Sequence, residues 1–312
     1  MTQIICGVDV GSERLDAQIG RAGAVGTFAN TSEGIVALAA FCAAHAVSLV
    51  AMEATGGYER RALGELWAAG LPVAVANPRS VRRFAEGMGV IEKTDSIDRG
   101  MIAWYAEVKQ LKPTPPASAT LRRLQAMVTR LRQLTETRVA QLNQRRLVVE
   151  TEVSEGFEAL IAVITGQIRG LETKIAEAIA EDPLWKALDQ SFRTIKGVAD
   201  RTVARLMAQM PEIGTLSNKA VAKIAGLAPI ANDSGKRHGR RPIRGGREGI
   251  RSILFVVAEI VRRHDPDFKA FHQKLCDAGK PRKVVRVAIA RKLLVRLNAK
   301  AREIRCPKQS PA

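Results

Sequence analysis

The stretch IICGVDV, residues 4–10, decides how the first part of the chain folds. It is an apolar run of strand length and predicts a buried strand with Asp9 near its end. Two shorter segments of alternating polarity, residues 14–20 and 24–30, predict two further strands. Helical and strand patterns then alternate, with helices expected over 32–46, 59–69 and from Pro78, and strands over 49–52 and 71–78. The order βββαβαβα predicts an α/β domain whose later strands are parallel.

Carboxylates stand at the ends of two of these predicted strands and at the start of a predicted helix. Asp9 is near the end of the first strand, and Glu53 directly follows the apolar run LVAM. In EKTDSIDRGMIAWYA, residues 92–106, Asp95 and Asp98 are three residues apart and therefore share one side of a first helical turn. Ligands bind at the carboxyl ends of strands in open α/β sheets, so we expect the four acids to converge there.

Four converging carboxylates need a counter-charge. Two unit charges about 4 Å apart repel by about 4 kcal/mol at an effective dielectric of 20, so the cluster requires a hard cation or bound protons. Magnesium prefers carboxylate and phosphate oxygens and is the expected ion. Each acid, taken alone, also fits a structural role as a helix cap, turn former or ion-pair partner. Their joint position favours a metal site.

The chain of 312 residues carries a formal net charge of +18, and this charge is unevenly distributed. The first 110 residues contain 10 basic and 12 acidic residues, so the other 39 basic and 19 acidic residues supply the whole excess. Such an excess favours a nucleic acid as partner over an anionic membrane. The most apolar stretch, residues 34–52, is interrupted by His45 and Ser48, and we predict neither a membrane span nor a signal peptide.

The cysteines and histidines are scattered along the chain. Neither set has the spacing of a metal site, and the cysteines do not suggest a disulfide framework. A reducing cytoplasm is therefore the expected location. The cysteines are Cys6, Cys42, Cys276 and Cys306.

The proline-rich segment KPTPPAS, residues 112–118, separates the α/β domain from a helical remainder. We predict a domain over 1–112, a linker over 113–119, a coiled coil or helical hairpin over 120–185, and a basic, mainly α-helical domain over 186–312. Apolar residues at three-and-four spacing predict the two hairpin helices, with a break near residue 154. A narrow apolar seam needs a partner surface, which leaves an intramolecular hairpin and a dimer contact both open.

The basic domain contains two distinctive segments. Residues 192–210 resemble a helix-hairpin-helix, although Ala199 stands where a second glycine is usual. Residues 232–249, NDSGKRHGRRPIRGGREG, predict a basic loop around Ser234. Alone it would be a solvated loop, but its cations can also bind phosphates and stabilise a pentacovalent phosphorus. These cations are Lys236, Arg237, Arg240, Arg241, Arg244 and Arg247.

The strand-borne acids on this frame resemble those of RNase H-like, RuvC-type nucleases. More specifically, GVDVGSERLDA, AMEATGGYE, NPRSVRRFAEGMG and KTDSIDRGMIAWYA together resemble the DEDD transposase domain of the IS110 insertion-sequence family, which includes the Piv/MooV invertases. Residues 194–255 resemble the second domain of the same family. The resemblance implies that Asp9, Glu53, Asp95 and Asp98 bind magnesium, and that Ser234 is the nucleophile that becomes joined to DNA.

The resemblance also implies the partners. Donor and target DNA are the expected substrates, and a structured non-coding bridge RNA that pairs with both is the expected guide. A homo-oligomer, dimer or tetramer, would assemble through the coiled coil, with active sites formed from the acid domain of one protomer and the serine domain of another. Such a protein would associate with the nucleoid.

We therefore expect a DNA transposase or site-specific recombinase. A serine hydroxyl is a weak nucleophile, and only Asp233 and His238 lie near Ser234 in sequence, so activation must come through space from the metal cluster. The principal alternative is a RuvC-like magnesium-dependent endonuclease or Holliday-junction resolvase that uses water. Less supported alternatives are an actin-like kinase or ATPase, suggested by GVDVGS, and a non-enzymatic nucleic-acid-binding protein.

Overall fold

A computed structural model describes residues 3–90, 95–235 and 237–306. The chain divides into two compact units, Met1–Ala117 and Ser118–Ala312. We call them the amino-terminal and carboxy-terminal units. Each has its own hydrophobic core, with two clusters in the first and one large cluster in the second.

The amino-terminal unit is an α/β domain built on a five-stranded sheet. Its elements, in chain order, are β1 (Ile5–Val10), β2 (Arg14–Ile19), β3 (Val25–Ala29), α1 (Ser32–Ala44), β4 (Leu49–Glu53), α2 (Glu59–Ala68), β5 (Val73–Ala76), α3 (Pro78–Gly87) and α4 (Asp95–Lys109).

The strand order is β3-β2-β1-β4-β5. The first three strands pair antiparallel, because short turns join them, whereas β4 and β5 extend the sheet in parallel after helical crossovers. This mixed sheet confirms the predicted RNase H-like class and the predicted parallel second half.

The sheet is covered on both faces. In β1, Cys6 and Val8 face a cluster formed with α1 and α2, and Ile5 faces a second cluster with α3 and α4. The period of two along the strand therefore sends alternate residues to different helical layers. Cys6 and Cys42 are both buried, and the pKa of the Cys6 thiol is raised, first by a hydrogen bond with Cys42 and then by burial.

The carboxy-terminal unit is mainly α-helical, as predicted. Its elements are α5 (Ala119–Arg145), α6 (Thr151–Glu181), α7 (Pro183–Arg193), α8 (Asp200–Gln209), α9 (Asn218–Ile224), β6 (Asp233–Ser234), β7 (Arg237–His238), α10 (Glu248–His264), α11 (Pro266–Asp277) and α12 (Arg282–Arg305).

The two long helices α5 and α6 form a hairpin within the chain. Leu124 and Val128 of α5 belong to the same buried cluster as Ile164 and Ile168 of α6. The prediction of a helix break near residue 154 is wrong, because α6 runs without interruption through Gly156. The connection between the two helices lies at residues 146–150, where no residue is a proline or glycine to mark it.

The carboxy-terminal unit contains a tight turn at Gly197 and a short hairpin around Ser234. The glycine-containing turn between α7 and α8 has Gly197 at φ +99°, and a Cβ there would lie 3.0 Å from Cγ2 of Ile260 on α10. Close packing therefore requires that glycine. The segment predicted as a loop around Ser234 contains instead a short β-hairpin of β6 and β7.

Among the described residues, no helix is both long enough and apolar enough to cross a bilayer.

Candidate catalytic site

Asp9 and Glu53 lie side by side at the carboxyl ends of two central parallel strands. Val8 of β1 is paired in register with Met52 of β4, so the two acids occupy the next position on each strand. Neighbouring strands are about 4.8 Å apart. Both acids are half-buried. The preceding residues, Val8 and Met52, point into the cluster with α1 and α2, so Asp9 and Glu53 lie on the other face of the sheet, which α4 covers. The geometry brings the two predicted ligands together.

Helix α4 approaches β1 closely because residue 7 is a glycine. A Cβ on Gly7 would overlap the carbonyl oxygen of Arg99 and lie 2.7 Å from the backbone nitrogen of Ala103. Ile5, farther back along β1, belongs to the same buried cluster as Ala106. Beyond the helix, the backbone nitrogen of Thr114 donates to the carbonyl oxygen of Val73 at the start of the parallel strand β5. The helix therefore runs antiparallel to β1, and its first turn lies at the strand's carboxyl end.

That first turn contains Asp95 and Asp98. Their backbone lies at the end of the sheet where Asp9 and Glu53 stand, but their side chains lie outside the described part of the structure, as do those of Arg237 and His238. Among the side chains that are described, no group of three His, Cys, Asp or Glu residues forms a metal site.

A further acid, Asp16, was missed by sequence reasoning. It is paired directly with Asp9 across the antiparallel β1–β2 ladder and faces the same side of the sheet. Its carboxylate accepts a hydrogen bond from Thr27 Oγ1 at 2.6 Å and pairs with Arg14 Nε at 2.9 Å. Arg99 Nη1 of α4 lies 3.9 Å away. These partners offset the repulsion between two opposed carboxylates.

The alternation of RLDAQI carried a signal for Asp16. Leu15 and Ala17 point into the core, so the residue between them must face the other side of the sheet. Only the pairing register, however, places it opposite Asp9.

Ser234 belongs to the carboxy-terminal unit, at the end of the exposed strand β6. It is paired with Arg237, and the turn between them includes Gly235 at φ +54°. An isolated bridge between Pro229 and Ile243 closes the base of this hairpin. The serine is thus presented at the exposed tip of a small, anchored hairpin.

The predicted phosphate-binding cations around Ser234 differ in their surroundings. Arg241 donates to Asp233 Oδ2 at 2.6 Å. Arg247 donates to the carbonyl oxygen of Gln209 at 2.8 Å and pairs with Glu212 at 2.5 Å. It therefore links two segments of its own unit. Arg240 and Arg244 are exposed, and within the described residues neither pairs with a carboxylate. Lys236 lies outside the described residues.

An RNase H-like sheet with acids at its strand ends is followed by a basic helical unit, an arrangement suited to an enzyme that acts on nucleic acids. Residues 6–152 match the model of the DEDD transposase domain of the IS110 type, and residues 189–273 match the model described as "Transposase IS116/IS110/IS902 family". The chain belongs to the IS110 family of transposases, whose members catalyse DNA cleavage and strand exchange. DEDD domains of this type are typically dependent on divalent metals.

Individual proteins are similar to the chain as well. Proteins described as "Pilin gene-inverting protein" from Moraxella lacunata and Moraxella bovis are each 26% identical over 284 residues, which is 86% of this chain and 85% of each relative. The RuvC structure from Thermus thermophilus is similar over 36% of this chain and 100% of its own, at 18% identity and a TM-score of 0.25.

Proposed function

We propose that this protein is a DNA recombinase that moves an insertion sequence by attack of Ser234 on a DNA phosphodiester, with magnesium held by Asp9, Glu53, Asp95 and Asp98. The observation that carries the proposal is the adjacent placement of Asp9 and Glu53 on one face of the sheet, at the end where α4 begins. The similarity to pilin gene-inverting proteins supports recombination rather than simple degradation of DNA.

The residues present fit a hard cation. Asp9 and Glu53 offer carboxylate oxygens at neighbouring strand ends, and the first turn of α4 adds two more acids to the same end. When bound, magnesium supplies Lewis-acid stabilisation of charge on phosphate oxygens. The role of the chain is to fix the carboxylates on rigid strands, so that they need not be reorganised during the reaction.

Ser234 is suited to attack because its hairpin presents it to solvent. The bond from its Oγ to phosphorus forms while one phosphorus–oxygen bond of the DNA breaks, the serine proton leaves, and the departing DNA oxygen takes up a proton. The number of phosphoester bonds is unchanged, so religation needs no external energy source. The Asp233 carboxylate is already held by a hydrogen bond from Arg241, so it is not oriented for the serine proton. Activation of the serine is therefore assigned to the acid site.

The exposed cations of the Ser234 segment would hold the DNA phosphates. Arg240 and Arg244 are the best placed of those described, and we assign the same role to Lys236 and Arg237. Arg241 would orient the neighbouring Asp233.

A guide RNA and a homo-oligomer complete the proposal. The basic excess beyond residue 110 is large enough to bind RNA as well as DNA. The hairpin of α5 and α6 exposes Leu147 and Val149 at its tip, which supports assembly through this hairpin. Because its substrate is DNA, the protein would work in the bacterial cytoplasm at the nucleoid.

The nucleophile can be tested with Ser234→Ala on a labelled DNA duplex that carries the ends of the protein's own element. We expect the denaturation-resistant protein–DNA adduct of the wild-type protein to fall by about 10³-fold or more, together with recombinant product. The Asp9→Asn variant should neither cut the DNA nor form the protein–DNA adduct. Ser252→Ala, which alters an exposed serine of α10, should react as the wild type does.

The outcome for Ser234→Ala separates the two mechanisms. Continued cutting that leaves free DNA ends would identify the water-using endonuclease or resolvase instead. Normal adduct formation by Asp9→Asn would remove the acids from the reaction.

A further inference from the structure

A groove in the amino-terminal unit adjoins Glu53, and its other lining residues have no role in the function proposed above. It has a volume of about 400 Å³ and is lined mainly by one side of α3, together with Glu53 of β4 and Met101 of α4. We call it the α3 groove. Its charged lining residues are three arginines and two glutamates, namely Arg79, Arg82, Arg83, Glu53 and Glu86.

The position of the groove follows from the sheet. Glu53 is paired in register with Ala76, the last residue of β5, so α3 begins beside Glu53. Asn77 caps this helix by accepting a hydrogen bond from the backbone nitrogen of Ser80, and Pro78 occupies its first turn. The start of α3 is therefore held rigidly at the acid-bearing end of the sheet.

The buried side of α3 explains where its arginines point. Val81 and Ala85 are buried in the core beneath the helix. Arg79 and Arg83 are four residues apart, about one helical turn, and both are exposed. Arg82, in contrast, is half-buried and pairs with Glu86 at 3.2 Å.

Arg79 and Arg83 differ in their surroundings from several other arginines of the same unit. Within the described residues neither is in an ion pair, whereas Arg14, Arg82 and Arg99 of the same unit each lie near a carboxylate. Two exposed guanidinium groups on one helical side, opening onto a groove, form a surface suited to consecutive anionic groups.

The neighbouring carboxylates affect how a DNA phosphate can approach this end of the sheet. When no cation is bound, a DNA phosphate that approaches Glu53 and Asp9 is repelled by each carboxylate, by about 1 kcal/mol at 4 Å in water and more in a less polar environment. Cations one helical turn apart offset that repulsion and also fix the direction of the strand.

We propose that the α3 groove holds the DNA strand that is cut, with Arg79 and Arg83 each binding a phosphate next to the one that reacts. This proposal rests on the proposed function, because it takes Glu53 as part of the cutting site. DNA is favoured over the guide RNA because the groove is continuous with Glu53, where DNA is cut.

The test compares the full-length protein with Arg79→Ala/Arg83→Ala and with a control, Arg60→Ala/Arg61→Ala. The control removes the same charge from exposed positions on α2, a helix that packs on the opposite face of the sheet. Binding of a fluorescein-labelled 30-base-pair DNA is measured by anisotropy between 50 and 200 mM salt, in EDTA to prevent cutting. A duplex RNA of the same sequence is measured in parallel.

We expect the plot of log affinity against log salt to become shallower by about 1.8 for the groove variant, since each phosphate contact contributes about 0.9. The control should keep the wild-type slope. The proposal is overturned by an unchanged slope for the groove variant or by an equal change of slope for the control. It is also overturned if the slope for RNA falls as much as the slope for DNA, or more.

Failure of the proposed function would be recognised separately. The slope is measured without metal and does not require cutting, whereas the adduct assay with Ser234→Ala does. A wild-type protein that forms no serine-linked adduct therefore leaves the slope comparison intact, and an unchanged slope leaves the serine mechanism intact.

Discussion

At the scale of single residues, the carboxylates of the amino-terminal unit depend on small neighbours and on counter-charges. Gly7 allows α4 to lie against β1. Asp16 stands opposite Asp9 and is held by Arg14 and Thr27. Burying two opposed acids is costly unless each has partners, so these contacts are part of what makes the site stable.

Gly7→Ala tests the close approach of α4. The added Cβ would overlap the carbonyl oxygen of Arg99, so the helix must move, and we expect a loss of about 1–3 kcal/mol in the free energy of unfolding. The measurement is urea unfolding followed by circular dichroism.

The control for this variant is Gly64→Ala in α2. Outside its own helix, no described atom lies within 4 Å of a Cβ at that position, and alanine favours the helix, so stability should rise by up to about 1 kcal/mol. Equal stability of the two variants would show that α4 does not lie against Gly7.

At the scale of elements, the sequence predicted most helices and strands but misplaced the connection between α5 and α6. Glycine in EVSEG suggested a break, whereas the structure has a continuous helix there and a turn at residues 146–150. Tertiary packing overrides the local preference, because buried residues such as Ile164 and Ile168 hold α6 against α5.

Gly156 provides a test of this helix. Gly156→Ala should raise the free energy of unfolding by up to about 1 kcal/mol, because alanine favours a helix and, in the part of the chain that the structure describes, only its own helix lies within 4 Å of the new Cβ. Gly156→Pro should lower it by up to about 3 kcal/mol, since proline removes a helical hydrogen bond.

Thermal unfolding monitored at 222 nm measures both effects. A proline variant as stable as the wild type would place Gly156 in a loop.

At the scale of the whole molecule, charge and chemistry are divided between two units. The acids lie in the nearly neutral amino-terminal unit, and Ser234 with most of the basic excess lies in the other. The proposed serine attack on DNA therefore draws on residues of both units.

The tip of the α5–α6 hairpin should govern oligomerisation. Leu147 is 85% and Val149 is 91% exposed, and two strongly exposed apolar side chains close together in one turn mark a candidate contact surface. Leu147→Asp/Val149→Asp should therefore shift the protein towards smaller species in sedimentation velocity.

A control for this variant is Val36→Asp, which alters an exposed valine of α1. Its sedimentation should match that of the wild type. Unchanged assembly of the tip variant would exclude this hairpin tip as the contact.

The sequence by itself determined the class of the amino-terminal fold, the helical character of the remainder and the positions of Asp9 and Glu53 near strand ends, because these follow from local periodicity. Only the tertiary structure decided that the two acids share a face, that Asp16 opposes Asp9, and that Arg79 and Arg83 open onto a groove beside Glu53. These facts depend on strand register and on helices packed from distant parts of the chain. One residue of register shift would reverse every side chain, so no local pattern could supply them.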